Sequence, residues 1–199
     1  INHDIEYMCG YVCTGNNAAS CFGDCWEFDP ELKTWRHAAD VGTPRTDAVG
    51  FAITYVDADN IKQYKAYVGT GHDMFSGYVF EDWLEFDPYT NTWGPTGSFT
   101  NSPIKVNGAV GFTIGTKGYI GSGETENGIE ISEFYEFDPL VADETHGEPW
   151  TPVEQLGMST EYRRKNAIAF VADDKAYVGT GEKSGNILSD LWMFVPGTN

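Results

Sequence analysis

One short phrase recurs along this 199-residue chain and constrains its fold more than any other feature. It reads Lys65-Ala-Tyr-Val-Gly-Thr-Gly71, then Lys117-Gly-Tyr-Ile-Gly-Ser-Gly123, then Lys175-Ala-Tyr-Val-Gly-Thr-Gly181, with a weaker copy at Gly10-Tyr-Val-Cys-Thr-Gly15. After a loop of variable length, each is followed by a second phrase. These are Asp24-Cys-Trp-Glu-Phe-Asp-Pro30, Asp82-Trp-Leu-Glu-Phe-Asp-Pro88, Glu133-Phe-Tyr-Glu-Phe-Asp-Pro139 and Asp190-Leu-Trp-Met-Phe-Val-Pro196. A tryptophan comes next at Trp35, Trp93 and, after an insertion, Trp150. Self-similarity with a period of roughly fifty residues means one supersecondary unit used repeatedly, each copy burying a face against its neighbours.

Ahead of the later phrases lie apolar runs at 48–53, 109–114 and 167–172. They are rich in β-branched and aromatic residues and too short for helices, which predicts strands. Apolar residues at both parities predict burial on both faces. Asp87-Pro-Tyr-Thr-Asn-Thr92 reads as a tight turn, with proline presetting φ and Asp and Asn capping the backbone. Gly115-Thr-Lys117 reads as a hairpin turn. Each full repeat therefore holds four short antiparallel strands, a to d. The first repeat lacks a and the last stops before d.

A four-stranded unit with glycines closing its second strand, and Tyr/Phe then Trp marking its third and fourth, resembles the kelch repeat of β-propellers. Here the glycines appear as Gly-Thr-Gly or Gly-Ser-Gly, while Phe28 with Trp35 and Phe86 with Trp93 take the aromatic positions. The resemblance covers nearly the whole chain and is nearest to the bacterial galactose-oxidase-like group; it implies a shape and no chemistry by itself. The expected fold is all-β, a single kelch-type propeller domain of about four blades, with repeats at approximately 5–42, 43–101, 102–158 and 159–199. Either the four blades close imperfectly or they form an arc of a six- or seven-bladed ring. The arc is favoured because kelch propellers usually have six or seven blades.

Thirty acidic against twelve basic residues give a formal charge of −18. Nucleic-acid surfaces need dense Lys and Arg, so DNA and RNA are excluded as expected partners. Anionic membrane surfaces are disfavoured for the same reason, and no apolar run is long enough to span a bilayer. The chain opens on Ile1 without a recognisable signal peptide, which fits a removed leader or a piece of something longer. The four cysteines, Cys9, Cys13, Cys21 and Cys25, fall within one hairpin at mirror-symmetric spacing. Cys13–Cys21 could nest inside Cys9–Cys25, although four cysteines allow three connectivities and a zinc site suits strand spacing poorly. Disulfides imply an extracellular, cell-surface or periplasmic location.

Strand order places the b–c loops and the d–a linkers on one face, where variable loops on a rigid scaffold carry recognition. Arg45, Lys105, Arg163, Arg164 and Lys165 all precede a strand a and are expected to ring a channel mouth, suited to a carboxylate, sulfate or sugar acid. His72, Phe75 and Tyr78, in the longest b–c loop, and Glu124, in the next, complete the candidate ligand-binding set. No catalytic residue, metal or cofactor is expected. Gly69 and Gly71 lack the third glycine and the helix of a phosphate cradle. The four histidines, His3, His37, His72 and His146, lack metal-site spacing. Asp57, Asp59 and Asn60 lack the glycine and distal glutamate of a calcium loop. The leading expectation is a non-catalytic binding or scaffold module of an exported assembly, recognising a protein or an acidic glycan. The alternative is a sugar-acid-processing enzyme, an epimerase or oxidase, with Arg45, Arg164 and Glu124 as acid–base suspects.

Overall fold

Glycine punctuation and strand propensity cut the chain where the repeats predict. The computed structural model describes residues 8–94, 100–141, 148–153 and 160–195. Three antiparallel strands, β1 (Gly10–Asn17), β2 (Ser20–Asp29) and β3 (Thr34–Ala38), form the first sheet in that order. The second runs β4 (Val49–Val56), β5 (Lys62–Gly69), β6 (Asp82–Asp87), β7 (Thr92–Trp93), with β8 (Thr100–Asn101) also pairing β6. A short strand β9 (Val106–Asn107) precedes the third sheet. That sheet is β10 (Val110–Ile114), β11 (Lys117–Gly121), β13 (Phe134–Phe137) and β14 (Trp150–Val153), while β12 (Glu124–Thr125) pairs back to β9. The fourth holds β15 (Ile168–Ala172), β16 (Lys175–Gly179) and β19 (Leu191–Phe194), with β17 (Glu182–Lys183) and β18 (Asn186–Ile187) making a hairpin in its loop. Apart from a 3-10 turn at Thr160–Tyr162 and a helical turn at 139–141, the described structure is strand and loop. Residues 5–7, 95–99, 142–147, 154–159 and 196–199 of the expected repeats, with His3 and His146, lie outside the described residues.

The sheets pack face against face in chain order. Tyr11, Cys25 and Ala38 of the first sheet meet Leu84 and Phe86 of the second. Phe51, Tyr67 and Trp83 on the second sheet's other face meet Ile120 and Phe137 of the third. Phe112 and Tyr119 of the third then meet Val178 and Phe194 of the fourth. Each large side chain buried this way contributes roughly 2–3 kcal/mol. The first strands lie side by side, β4 against β10 and β10 against β15.

Two glycines show why the recurring phrase needs them. A Cβ on Gly69 would lie 2.6 Å from the Asp82 carbonyl oxygen and run into the Trp83 ring, so only glycine lets β6 cross so closely. Gly71 sits at φ +81°, with its missing Cβ aimed at the Thr46 carbonyl. Between them Thr70 is also left-handed, at φ 57°, as are Thr14, Ser122 and Thr180 in the other repeats. The turns after β2 and β6 close as their Asp residues predict: Asp29 Oδ1 accepts from Glu31 and Leu32 N–H, and Asp87 Oδ1 from Tyr89 and Thr90.

Two expectations need correction. Burial on both faces holds for β10, which lies between β4 and β15. It fails for β4, whose Gly50, Ala52 and Thr54 are exposed, since among the described residues the first sheet has no first strand to cover them. It fails for β15 too, where no sheet covers Ile168 and Phe170 among the described residues. The cysteines also pair differently: Cys13 bonds Cys25, while Cys9 and Cys21 are free thiols. The turn lies between Asn17 and Ser20, and a bulge at Cys13/Gly15 shifts the register, so Cys13 faces Cys25 and Cys21 faces Asn16. Mirror spacing in sequence placed the turn about two residues too early.

Candidate recognition face

In three repeats the linker entering the first strand is tied to the start of the loop leaving the second. Thr46 bridges His72, Asn107 pairs Glu124, and Lys165 bridges Glu182, all antiparallel. Linkers and loops therefore share one end of the sheets. Backbone hydrogen bonds then stitch neighbouring repeats at that end: Gly15 N–H to Arg45 O (2.9 Å), Gly71 N–H to Val106 O (3.0 Å) and Gly123 N–H to Arg164 O (2.7 Å). Further bonds run from Gly108 N–H to Asp47 O and from Asn166 N–H to Gly108 O. Main-chain groups this close to a loop surface would otherwise need water or side-chain partners.

The expected cations separate into two kinds. Arg45 is wholly buried and Arg164 is 1% exposed. Arg45 holds both carboxylate oxygens of Asp82 at 2.6 and 2.8 Å and donates to the Thr70 carbonyl, while its guanidinium lies 4.3 Å over the Phe80 ring. Arg164 repeats the arrangement on Asp190 and the Thr180 carbonyl. Neither rings an open mouth, because their donors are spent inside the protein. The Arg164 guanidinium, helped by Trp192 Nε1–H, holds the Asp190 carboxyl down at about 2. In the third repeat Val106, also fully buried, stands where the arginines stand.

The lysines do reach the face. Lys165 donates to Glu124 at 2.6 Å and lies 3.3 Å from Glu182; the hydrogen bond accepted by Glu124 raises the lysine's pKa. Lys105 pairs Glu126 at 3.0 Å and sits 4.9 Å over the Tyr78 ring, with its pKa also raised by that glutamate. Arg163 is half-buried and its Nε has no hydrogen-bond partner among the described residues. His72 Nδ1 lies 3.5 Å from Asp47, near enough for an ion pair when protonated but not hydrogen-bonded. Phe75 and Tyr78 are exposed, as are Ile129 and Ile187 in the next two loops. Among the described residues no group of three or more His, Cys, Asp and Glu side chains is arranged to hold a metal ion, and no helix is long and apolar enough to cross a membrane.

Sequence reasoning missed Asp82 and Asp190. The signal was present: Arg and Asp occur together at matched positions of the second and fourth repeats, whereas the third has Val106 and Glu133.

No family model matches the sequence, and no curated protein matches it. Among solved structures, one described as "Structure of YjhT" aligns with a TM-score of 0.60 at 19% identity, over 87% of this chain and 56% of that one. The likeness is one of fold. The chain thus spans little more than half the length of that structure.

Proposed function

We propose that this chain is a non-catalytic recognition module built of kelch-type propeller repeats, exported from the cell, whose loop face docks a protein within a larger assembly. The observation that carries it is the row of apolar side chains raised on successive loops: Phe75 is 69% exposed, Ile129 53% and Ile187 81%. Apolar groups held in water on one face of a rigid scaffold mark an interaction surface. Sheets that follow one another in chain order, and the likeness of fold to a solved structure, support the propeller reading. The Cys13–Cys25 disulfide supports export. An acidic-glycan site draws less support, since Lys105 and Lys165 already face glutamates and two arginines are buried. Of the three acid–base suspects of an enzyme reading, Arg45 and Arg164 are buried in ion pairs and Glu124 pairs with Lys165, which leaves that reading with less support.

Capture from a cell-surface protein extract tests the proposal, using wild type beside a Phe75→Ser/Ile187→Ser variant, with a uronate and sulfated-glycan array run in parallel. A protein retained by wild type and lost by the variant is the expected result. Identical capture by both, or array binding abolished by Lys105→Ala, overturns it.

A further inference from the structure

The loops of the recognition face are tied to one another, because the linker lysines stand between them. Lys105, in the linker ahead of β9, reaches in two directions. Its ammonium lies 4.9 Å over the ring of Tyr78, in the loop of the second sheet, and 3.0 Å from the carboxylate of Glu126, in the loop of the third. Lys165, in the linker ahead of β15, does the same one repeat later. It donates to Glu124 in the third sheet's loop at 2.6 Å and lies 3.3 Å from Glu182 in the fourth's. Each lysine therefore touches one loop on either side of itself in the chain.

The same joint is made without charge between the first two repeats, where Asn16 Nδ2 donates to Thr46 Oγ1. Asn16 and Glu124 hold equivalent places, each directly after the glycine that ends the recurring phrase. Thr46 and Lys165 are equivalent too, each bridging the first loop residue of its own repeat, His72 and Glu182. Further contacts extend the ties. Ser184 N–H donates to Glu130 Oε1 at 2.8 Å, a second link between the third and fourth loops. Tyr78 meets Phe80 edge-on at 5.2 Å, and Phe80 lies under the buried Arg45 guanidinium, so the loop beneath Lys105 is anchored to the core. The two lysine side chains are only 31% and 21% exposed, which shields their pairs from the screening that weakens open surface ion pairs. Phe75, Ile129 and Ile187 sit one on each of these three loops. Side chains whose spacing is already set lose less freedom when a partner arrives.

We propose that Lys105 and Lys165 are positioning residues, braces that lock loops 72–80, 124–130 and 182–188 into one preassembled docking surface, so that disturbing one loop loosens the next. The inference rests on the docking reading of this face and deepens it. The charge of each lysine is used between loops, and the partner meets the apolar side chains that the braces hold in place.

Hydrogen exchange on the free full chain reads the braces without a partner. Glu126→Gln is the first variant, because this half-exposed carboxylate reaches loop 72–80 through Lys105. It should speed exchange of the 73–79 amides roughly threefold, the loss expected of one partly exposed charged pair. Lys105→Met should speed exchange in both 73–79 and 125–130, and Lys165→Met in both 125–130 and 183–188. Arginine at either place keeps the cation and should restore wild-type rates to within about twofold. The amides of β5 and β11 should be unchanged throughout. Unaltered exchange of 73–79 in Glu126→Gln, a rise confined to one side of either lysine, a rise shared by β5 and β11, or no restoration by arginine overturns the proposal. Braced loops in a chain that captures no protein would instead count against the docking reading alone.

Discussion

Arg45 and Arg164 define the chemistry of single side chains in this protein. A wholly buried guanidinium is tolerable only with its charge matched and its N–H groups satisfied, and Asp82 with the Thr70 carbonyl does this for Arg45. Asp82→Ala should therefore destabilise the fold by about 3 kcal/mol in chemical denaturation, because it strands a buried charge. The third repeat offers the repair. Its buried Val106 needs no counter-ion, and a double variant Arg45→Val/Asp82→Glu copying it should lose less than half as much. Acid titrates the other pair. The folded Asp190 carboxyl sits at about 2, below its ordinary 3.8, so its contribution is complete above roughly pH 4 and is lost as pH falls toward 2. Thermal melts of wild type should steepen in their pH dependence over that window, and Arg164→Val should flatten it.

Among the strands, the first hairpin differs most from its sequence reading. Its alternation and glycines made the hairpin legible, but the cysteine partners depended on where the turn falls and on a one-residue bulge, and neither leaves a mark in cysteine spacing. Titration of the unfolded, unreduced protein should find two thiols, and four after reduction. Reduction should also cost about 3 kcal/mol by the entropy of a loop with a separation of 12 residues. A count of zero or four before reduction would exclude the single Cys13–Cys25 bond. The buried arginines were hidden for a similar reason: each was visible as a cation, but its burial depends on an aspartate dozens of residues away. Loop positions, by contrast, could be read directly, and Phe75 and Tyr78 stand exposed in the segment that the sequence marked as longest and most variable.

At the scale of the whole described structure, two sheet faces carry exposed apolar side chains. Trp26 and Trp35 lie open on the first sheet, and Ile168, Phe170, Leu191 and Met193 on the fourth. Strand order was legible because the repeat writes it four times, whereas which faces stay bare depends on neighbours that no local pattern encodes. Apolar faces on a protein of charge −18 are kept apart mainly by repulsion, which salt screens. Weight-average mass in sedimentation equilibrium should rise as salt increases from about 20 to 300 mM. Trp35→Glu or Phe170→Glu should suppress that rise. At the loop end the joints between successive sheets behave otherwise, because there Gly N–H groups bond carbonyl oxygens of the next linker, beside the packed side chains of the core. Since these bonds use main-chain atoms alone, side chains on the intervening loops can change for a new target without breaking them, provided the glycines stay.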